Sequence, residues 1–260
     1  MKRLVAIGIL LLSASAFAQF GGGVRFSAGG FGGGLFDSAE PRDVDRTGFV
    51  YARIKYHVQP SNYCGRGEVP WHHDYPDGDR EFPDSLERLT NTQTDRNSYQ
   101  IVEIDSKELF RYPFTYLSEP GCLDLYPEDV KNFREYLDRG GFVLVDDFRG
   151  YAQLENLVYE LKKVYPDRDI EHLDASHPIF SAFFEVPEPE KMTPPYRQAD
   201  SGDVQFLGLS DKKGRLQMII DFNNDLSEYW QLLYEGNRPF FDSATAVRLG
   251  TNYAIYAMTH

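Results

Sequence analysis

Residues 140–147, Gly-Gly-Phe-Val-Leu-Val-Asp-Asp, decide how the rest of the chain is read. Four consecutive apolar residues, Phe142 to Val145, stop at two carboxylates without any polar alternation. A run of this kind fits a strand buried on both faces, as in a parallel sheet covered by helices on both sides. Helices are expected on either side of it. Before it, Pro127 sits in a first turn with Glu128 and Asp129 suited to the helix dipole, Val130, Phe133 and Leu137 share a face, and Gly140-Gly141 end the helix. After it, Leu154, Leu157, Val158, Leu161 and Val164 recur at helical spacing up to Pro166.

Working outward, Phe49 to Tyr56 (FVYARIKY) alternates and is rich in β-formers, which predicts a first strand. A loop from His57 to Asp79 follows, then a helix from about Pro83 to Leu89. Gln100 to Asp105 is the second strand, and Pro113 to Leu117 the third, ending in Ser118-Glu-Pro-Gly121. Phe142–Val145 is the fourth and Asp169 to Leu173 the fifth. Val204 to Leu209 and Arg215 to Phe222 flank Asp211-Lys-Lys-Gly214, a hairpin signal. Asp242 is placed to cap a final helix running to about Met258. Strands alternating with helices predict one doubly wound α/β domain over residues 46–260, mostly parallel, with helices on both faces and a late antiparallel hairpin. No internal repeat is visible.

The first eighteen residues read as a secretory signal. Lys2 and Arg3 form a positive n-region, Leu4 to Leu12 an apolar stretch too short to span a bilayer, and Ala16-Phe-Ala18 a cleavage site. An exported protein, periplasmic or extracellular, is expected, with no membrane span after cleavage. Residues 19–45 are Gly-rich with scattered Phe, the composition of a flexible tether. A partner-binding role for the Phe residues is the alternative. Loss of Lys2 and Arg3 would take the formal charge from −13 to −15, an acidic balance that argues against nucleic acid or anionic lipid as a partner. Cys64 and Cys122 are the two cysteines, open to a disulfide or to two thiols.

Several stretches together resemble one bacterial family, domain of unknown function 4159. They are Trp71 to Pro76 followed by Asp79, YPFTYL at 112–117, YLDRGGFVLVDDFRG at 136–150, HPIF at 177–180 and LGTNYAIYAMTH at 249–260. They span nearly the whole predicted domain in order. The family has no established activity, so the resemblance transfers no catalytic residue. More distantly, the succession of the 136–145 strand, HPIF, GRLQMII and a last helix is similar to the class I glutamine-amidotransferase-like and trehalose-utilisation-like folds. That likeness implies a flavodoxin-like sheet of order 2-1-3-4-5. An amidotransferase needs a Cys nucleophile at a Gly-flanked turn after a strand. This chain has Asp146-Asp-Phe-Arg-Gly150 there, so glutaminase chemistry is not expected.

With that order the chain reverses between strands one and three, where ligands bind beyond the carboxyl ends of the strands. The loop Val69-Pro-Trp-His-His-Asp-Tyr-Pro-Asp-Gly-Asp79 then faces the Ser118-Glu119 turn. Strand four delivers Asp146 and Asp147 to the same rim, and Asn223, Asn224 and Asp225 join if the strand ending at Phe222 is parallel. The candidate binding residues are therefore Trp71, His72, His73, Tyr75, Ser118, Glu119, Asp146, Asn223 and Asn224, with Asp147 and Asp74 as candidate acid–base groups. Adjacent histidines in an extended loop point opposite ways, so one of them at most is an easy ligand. His73 with Asp74 and a carboxylate from strand four suits a divalent ion such as zinc or manganese. A hydrogen-bonded surface loop fits the same residues, since the spacing matches no specific metal motif.

Structural roles stand beside each of these readings. Asp74 can fix the Tyr75-Pro76 turn, Asp79 can cap the next helix, and Asp146 or Asp147 can organise the turn after strand four. His177 reads as a turn residue before Pro178, and His260 as a helix-end residue. Trp71, Tyr75 and Tyr116 offer a platform for a sugar ring or belong to the core. No Gly-rich phosphate loop follows the first strand and no Gly-x-Ser-x-Gly elbow is present, so neither a nucleotide cofactor nor a serine hydrolase is expected. The same sheet order makes the segments carrying Cys64 and Cys122 neighbours, so a disulfide across the rim is feasible.

Two functions follow. One is a non-catalytic exported domain that binds a protein or glycan through the rim. The other is a hydrolase acting on a carbohydrate or amide, with Asp147 or Asp74 as base and a metal on His72 or His73.

Overall fold

In a computed structural model of the chain, the described residues are 48–60, 64, 69–196 and 202–260. The expected signal and tether lie outside them. The strands are β1 (Tyr51–Lys55), β2 (Tyr99–Glu103), β3 (Phe114–Ser118), β4 (Phe142–Asp146), β5 (Glu171–His172), β6 (Gln205–Ser210) and β7 (Leu216–Phe222). The helices are α1 (Asp77–Leu89), α2 (Pro127–Asp138), α3 (Tyr151–Val164), α4 (Leu226–Gln231) and α5 (Phe240–Thr259). One sheet of order β2-β1-β3-β4-β7-β6-β5 joins all the strands. β1 to β4 and β7 are parallel; β6 runs antiparallel to β7, and β5 pairs antiparallel with β6 at the edge. The mixed α/β class, the mostly parallel sheet and the late antiparallel hairpin all match the reading of the sequence.

The run that set the fold behaves as expected. All five residues of β4 are buried, and successive side chains enter opposite cores. Val143 and Val145 pack with Ala52, Ile54, Phe133, Leu157 and Leu161 beneath α2 and α3. Phe142 and Leu144 pack with Tyr51, Phe82, Trp230, Leu249 and Tyr253 beneath α1, α4 and α5.

The sheet departs from the expected order at one position. The place beside β4 belongs to β7, whose seven residues are all buried, and not to the fifth strand in the chain. β5 has shrunk to two exposed residues at the sheet edge. Burial decides this: a central parallel position needs apolar residues on both faces, which Leu216–Phe222 supplies and Glu171-His172 does not.

Two helix starts also move. α1 begins six residues before the expected Pro83 and carries that proline in its interior, where it forfeits an intrahelical hydrogen bond. Phe82 and Leu86, both with no exposed surface, anchor the helix across it. Asp79 is consequently not a cap but a buried ion-pair partner. α5 begins at Phe240, so Asp242 lies inside its first turn and accepts the Thr193 amide at 2.9 Å instead of capping.

Cys64 and Cys122 are joined by a disulfide with their α-carbons 5.6 Å apart, tying the segment after β1 to the turn after β3. No helix among the described residues is long and apolar enough to cross a membrane.

Candidate functional site

The site is built from the strand ends on either side of the β1/β3 reversal. Arg53, in the middle of β1, is fully buried and forms a two-pronged contact with Asp79 of α1, Nε to Oδ1 at 2.9 Å and Nη2 to Oδ2 at 2.6 Å. Burial disfavours the charged guanidinium, and Asp79 more than offsets it. Its remaining nitrogen, Nη1, donates to the carbonyls of Trp71 at 3.3 Å and His73 at 2.9 Å. A charge in the core of the sheet thereby fixes the histidine loop.

Of the two histidines, His73 turns inward. Its Nδ1 lies 2.6 Å from Asp147 Oδ2 and 3.9 Å from both Asp74 Oδ2 and Glu119 Oε1. His72 packs edge-on to Trp71 and tilted against Tyr75, with ring centroids at 5.5 and 4.8 Å. Around His73 the acids are themselves tied down. Ser118 Oγ donates to Asp147 at 3.2 Å, and Ser227 Oγ donates to Asp74 at 2.7 Å. Asp146, fully buried, accepts the Leu226 and Ser227 amides at the start of α4 at 2.7 and 3.1 Å, while its Oδ1 has no partner among the described residues. Asp225 caps α4 through the Glu228 amide at 2.9 Å.

Among the described residues four non-glycines take positive φ, namely Asp74 (59°), Glu119 (46°), Asp147 (57°) and Asn223 (59°), and all four stand at strand ends or loops of this rim. Such conformations cost energy and persist where surrounding contacts hold them, a pattern that concentrates at functional sites.

Five carboxylates, Asp74, Glu119, Asp146, Asp147 and Asp225, share this rim with one imidazole. The hydrogen bond to Asp147 pushes His73 up to about 10, so at neutral pH it is an imidazolium. Burial pushes Asp74 up to about 6, and Glu119 and Asp146 up to about 7; it also raises Asp225 well above the usual carboxylate range. The cluster holds protons because too little positive charge is there to balance it. Two overlapping triads have donor atoms within 4.8 Å of one another, His73-Glu119-Asp147 and Asp74-Asp147-Asp225, and they share Asp147. A nitrogen and carboxylate oxygens gathered this closely match the ligand set of zinc or manganese.

The structure brings His73, Asp74, Ser118, Glu119, Asp146 and Asp147 together, and it gives the other candidates different work. Asn223 braces the loops, its Oδ1 accepting the Gly150 amide at 2.9 Å and its Nδ2 donating to the Asp203 carbonyl at 3.0 Å. Asn224 Nδ2 contacts Met192 Sδ at 3.6 Å. Trp71 and Tyr116 are core residues with 7% and 0% of their surface exposed, so they form no platform for a sugar. Tyr75 packs edge-on to Tyr99. His177 accepts the Ile179 amide and starts a 3-10 turn, and His260 stacks on Tyr256.

Asp225 joins the rim as the parallel course of β7 requires, and Arg53 and Ser227 complete the site without having been expected there. Arg53 left a signal, a lone charge in the otherwise apolar stretch Tyr-Ala-Arg-Ile. Ser227 left none, because its role depends on α4 meeting the histidine loop.

Residues 51–258, from β1 to the end of α5, match the model of the family described as domain of unknown function (DUF4159). The chain belongs to that family. The match covers every element that builds the rim of this DUF4159 domain. No curated protein matches the chain.

Proposed function

We propose that this DUF4159 protein is a hydrolase acting on a carbohydrate or amide, with a divalent cation held at the rim by His73, Glu119 and Asp147. The observation that carries this reading is the His73 Nδ1 position, 2.6 Å from Asp147 and 3.9 Å from Glu119 and Asp74. Without an ion, a proton between His73 and Asp147 holds two of these groups together. A divalent cation does the same for all three and offsets the excess of carboxylates. It supplies a Lewis acid and lowers the pKa of bound water towards neutrality. Asp74, beside the triad and fixed by Ser227, is the candidate base. Burial of Trp71 and Tyr116 weighs against the alternative, a non-catalytic glycan-binding rim, because the ring platform is missing. The basic n-region with its cleavage site and the Cys64–Cys122 disulfide support an exported location, since disulfides persist in oxidising compartments.

The test is calorimetric titration of EDTA-treated protein with Zn²⁺, Mn²⁺, Mg²⁺ and Ca²⁺, followed by a screen of amide and glycoside substrates with the loaded protein. Saturable binding of one ion per chain is expected, weakened at least tenfold in Asp147→Asn and His73→Ala. If no ion binds, or if both variants bind as well as the parent, the reading is wrong and the rim returns to a non-catalytic role.

A further inference from the structure

Away from the rim, the C-terminal half of α1, the segment following α4 and the N-terminal half of α5 border a half-open cavity of about 610 Å³. It shares no lining residue with the site described above. Leu89, Phe184, Leu232 and Val247 are among its walls, and Phe240, 88% exposed, stands among the lining residues. Volume and apolar lining are those of pockets that take small organic ligands. Among the described residues no Asp or Glu lines it, yet three arginines do, Arg88, Arg238 and Arg248.

The three arginines are not equivalent. Arg88 is paired with Asp84 at 2.9 Å, and Arg238 with Glu228 and the Pro195 carbonyl. Arg248, exposed on α5 beside the wall residue Val247, has no ion pair or side-chain hydrogen bond among the described residues. A guanidinium of this kind takes a carboxylate through two parallel hydrogen bonds. Apolar walls with one uncommitted cation beside them define an occupant with two parts, a hydrocarbon chain and an anionic head.

We propose that this cavity is a second binding site, for a single-chain amphiphile with an anionic head group, of the class of medium-chain carboxylates. The chain fills the space between Leu89, Phe184 and Val247, and Arg248 receives the head group. The proposal stands independently of the hydrolase reading.

Calorimetric titration of the full chain with octanoate, decanoate, octanol and decyltrimethylammonium tests it. Decanoate should bind more tightly than octanoate by about fourfold per added methylene. Octanol and the cationic amphiphile should bind at least tenfold more weakly than the carboxylate of equal length, as roughly expected for loss of a charge-assisted pair. Arg248→Glu should weaken carboxylate binding by about tenfold or more and leave octanol unchanged. Ala244→Trp, which fills the cavity from α5, should abolish binding of both while the melting temperature confirms folding. Vesicles of phosphatidylglycerol should not retain the protein. Absence of saturable binding, equal affinity for carboxylate, alcohol and ammonium, or indifference to both variants would overturn the proposal. So would retention on vesicles without binding of free decanoate, which makes a lipid surface the occupant, or a concentration-dependent dimer that binds no amphiphile, which makes it a second copy.

Discussion

Arg53 and Asp79 form a bidentate ion pair in which neither side chain has exposed surface, with the shortest contact at 2.6 Å. The pair joins the centre of β1 to the first turns of α1, and the same guanidinium holds the Trp71 and His73 carbonyls. Arg53→Met leaves a buried carboxylate without its partner, which costs roughly 3–5 kcal/mol. The double variant Arg53→Met/Asp79→Leu removes both charges and should recover a good part of that loss. Urea denaturation of the two variants measures the difference, and equal stability of Arg53→Met and the parent would show that the pair does not hold the loop.

The acid cluster makes stability depend on pH. Burial raises Asp146 from 3.8 to about 7 and Glu119 from 4.5 to about 7, so the folded protein keeps protons that the unfolded chain has already released. Their contribution is fully present below the unfolded values and is lost as pH rises through about 7. His73, raised from 6.5 to about 10, adds a loss in the same direction over that higher window. The melting temperature of metal-free protein should therefore fall between pH 5 and pH 8 in a thermal series, on the ordinary scale of linked carboxylates. Asp146→Asn should flatten the lower part of that fall, whatever its effect on absolute stability. A slope identical to the parent's would show that Asp146 does not carry the proton.

The disulfide closes a loop across 58 residues of sequence. Cross-links of that length typically add about 2–4 kcal/mol, chiefly by restricting the unfolded chain. Cys64→Ser/Cys122→Ser and reduction of the parent with dithiothreitol should lower the denaturation midpoint equally. If reduction leaves the midpoint unchanged, the cross-link does not contribute.

Gly250 in α5 lies where a β-carbon would come within 2.5 Å of the Phe82 ring and 2.6 Å of the Trp230 ring. Alanine normally gains about 1 kcal/mol over glycine inside a helix. Here two buried rings would have to move, an overpacking cost of roughly 1–3 kcal/mol. Gly250→Ala should thus be neutral to destabilising by denaturation, and a clear gain in stability would mean that the α1–α5 contact is looser than these distances show.

Much of the framework was legible in local pattern. Phe142–Val145 read as a doubly buried strand and is one, and α2 ends at the paired glycines that predicted its stop. The hairpin around Gly214 was visible from its turn residues. The misplaced strand was the fifth: Asp169–Leu173 and Arg215–Phe222 both carry β-formers, and pattern alone does not say which of them wins the central position. At the rim, the meeting of the histidine loop with Ser118, Glu119, Asp146 and Asp147 followed from a single reversal in sheet order. Which histidine turned inward did not.

By itself the sequence determined the α/β class, the elements and the rim on which the polar groups collect, because burial periodicity and turn chemistry act over a few residues. Tertiary structure alone decided that β7 lies beside β4, that Asp79 pairs with Arg53, and that His73 rather than His72 reaches Asp147, 74 residues away. Each of those outcomes comes from competition for buried space and for a partner in low dielectric, and the winner depends on groups far apart in the chain.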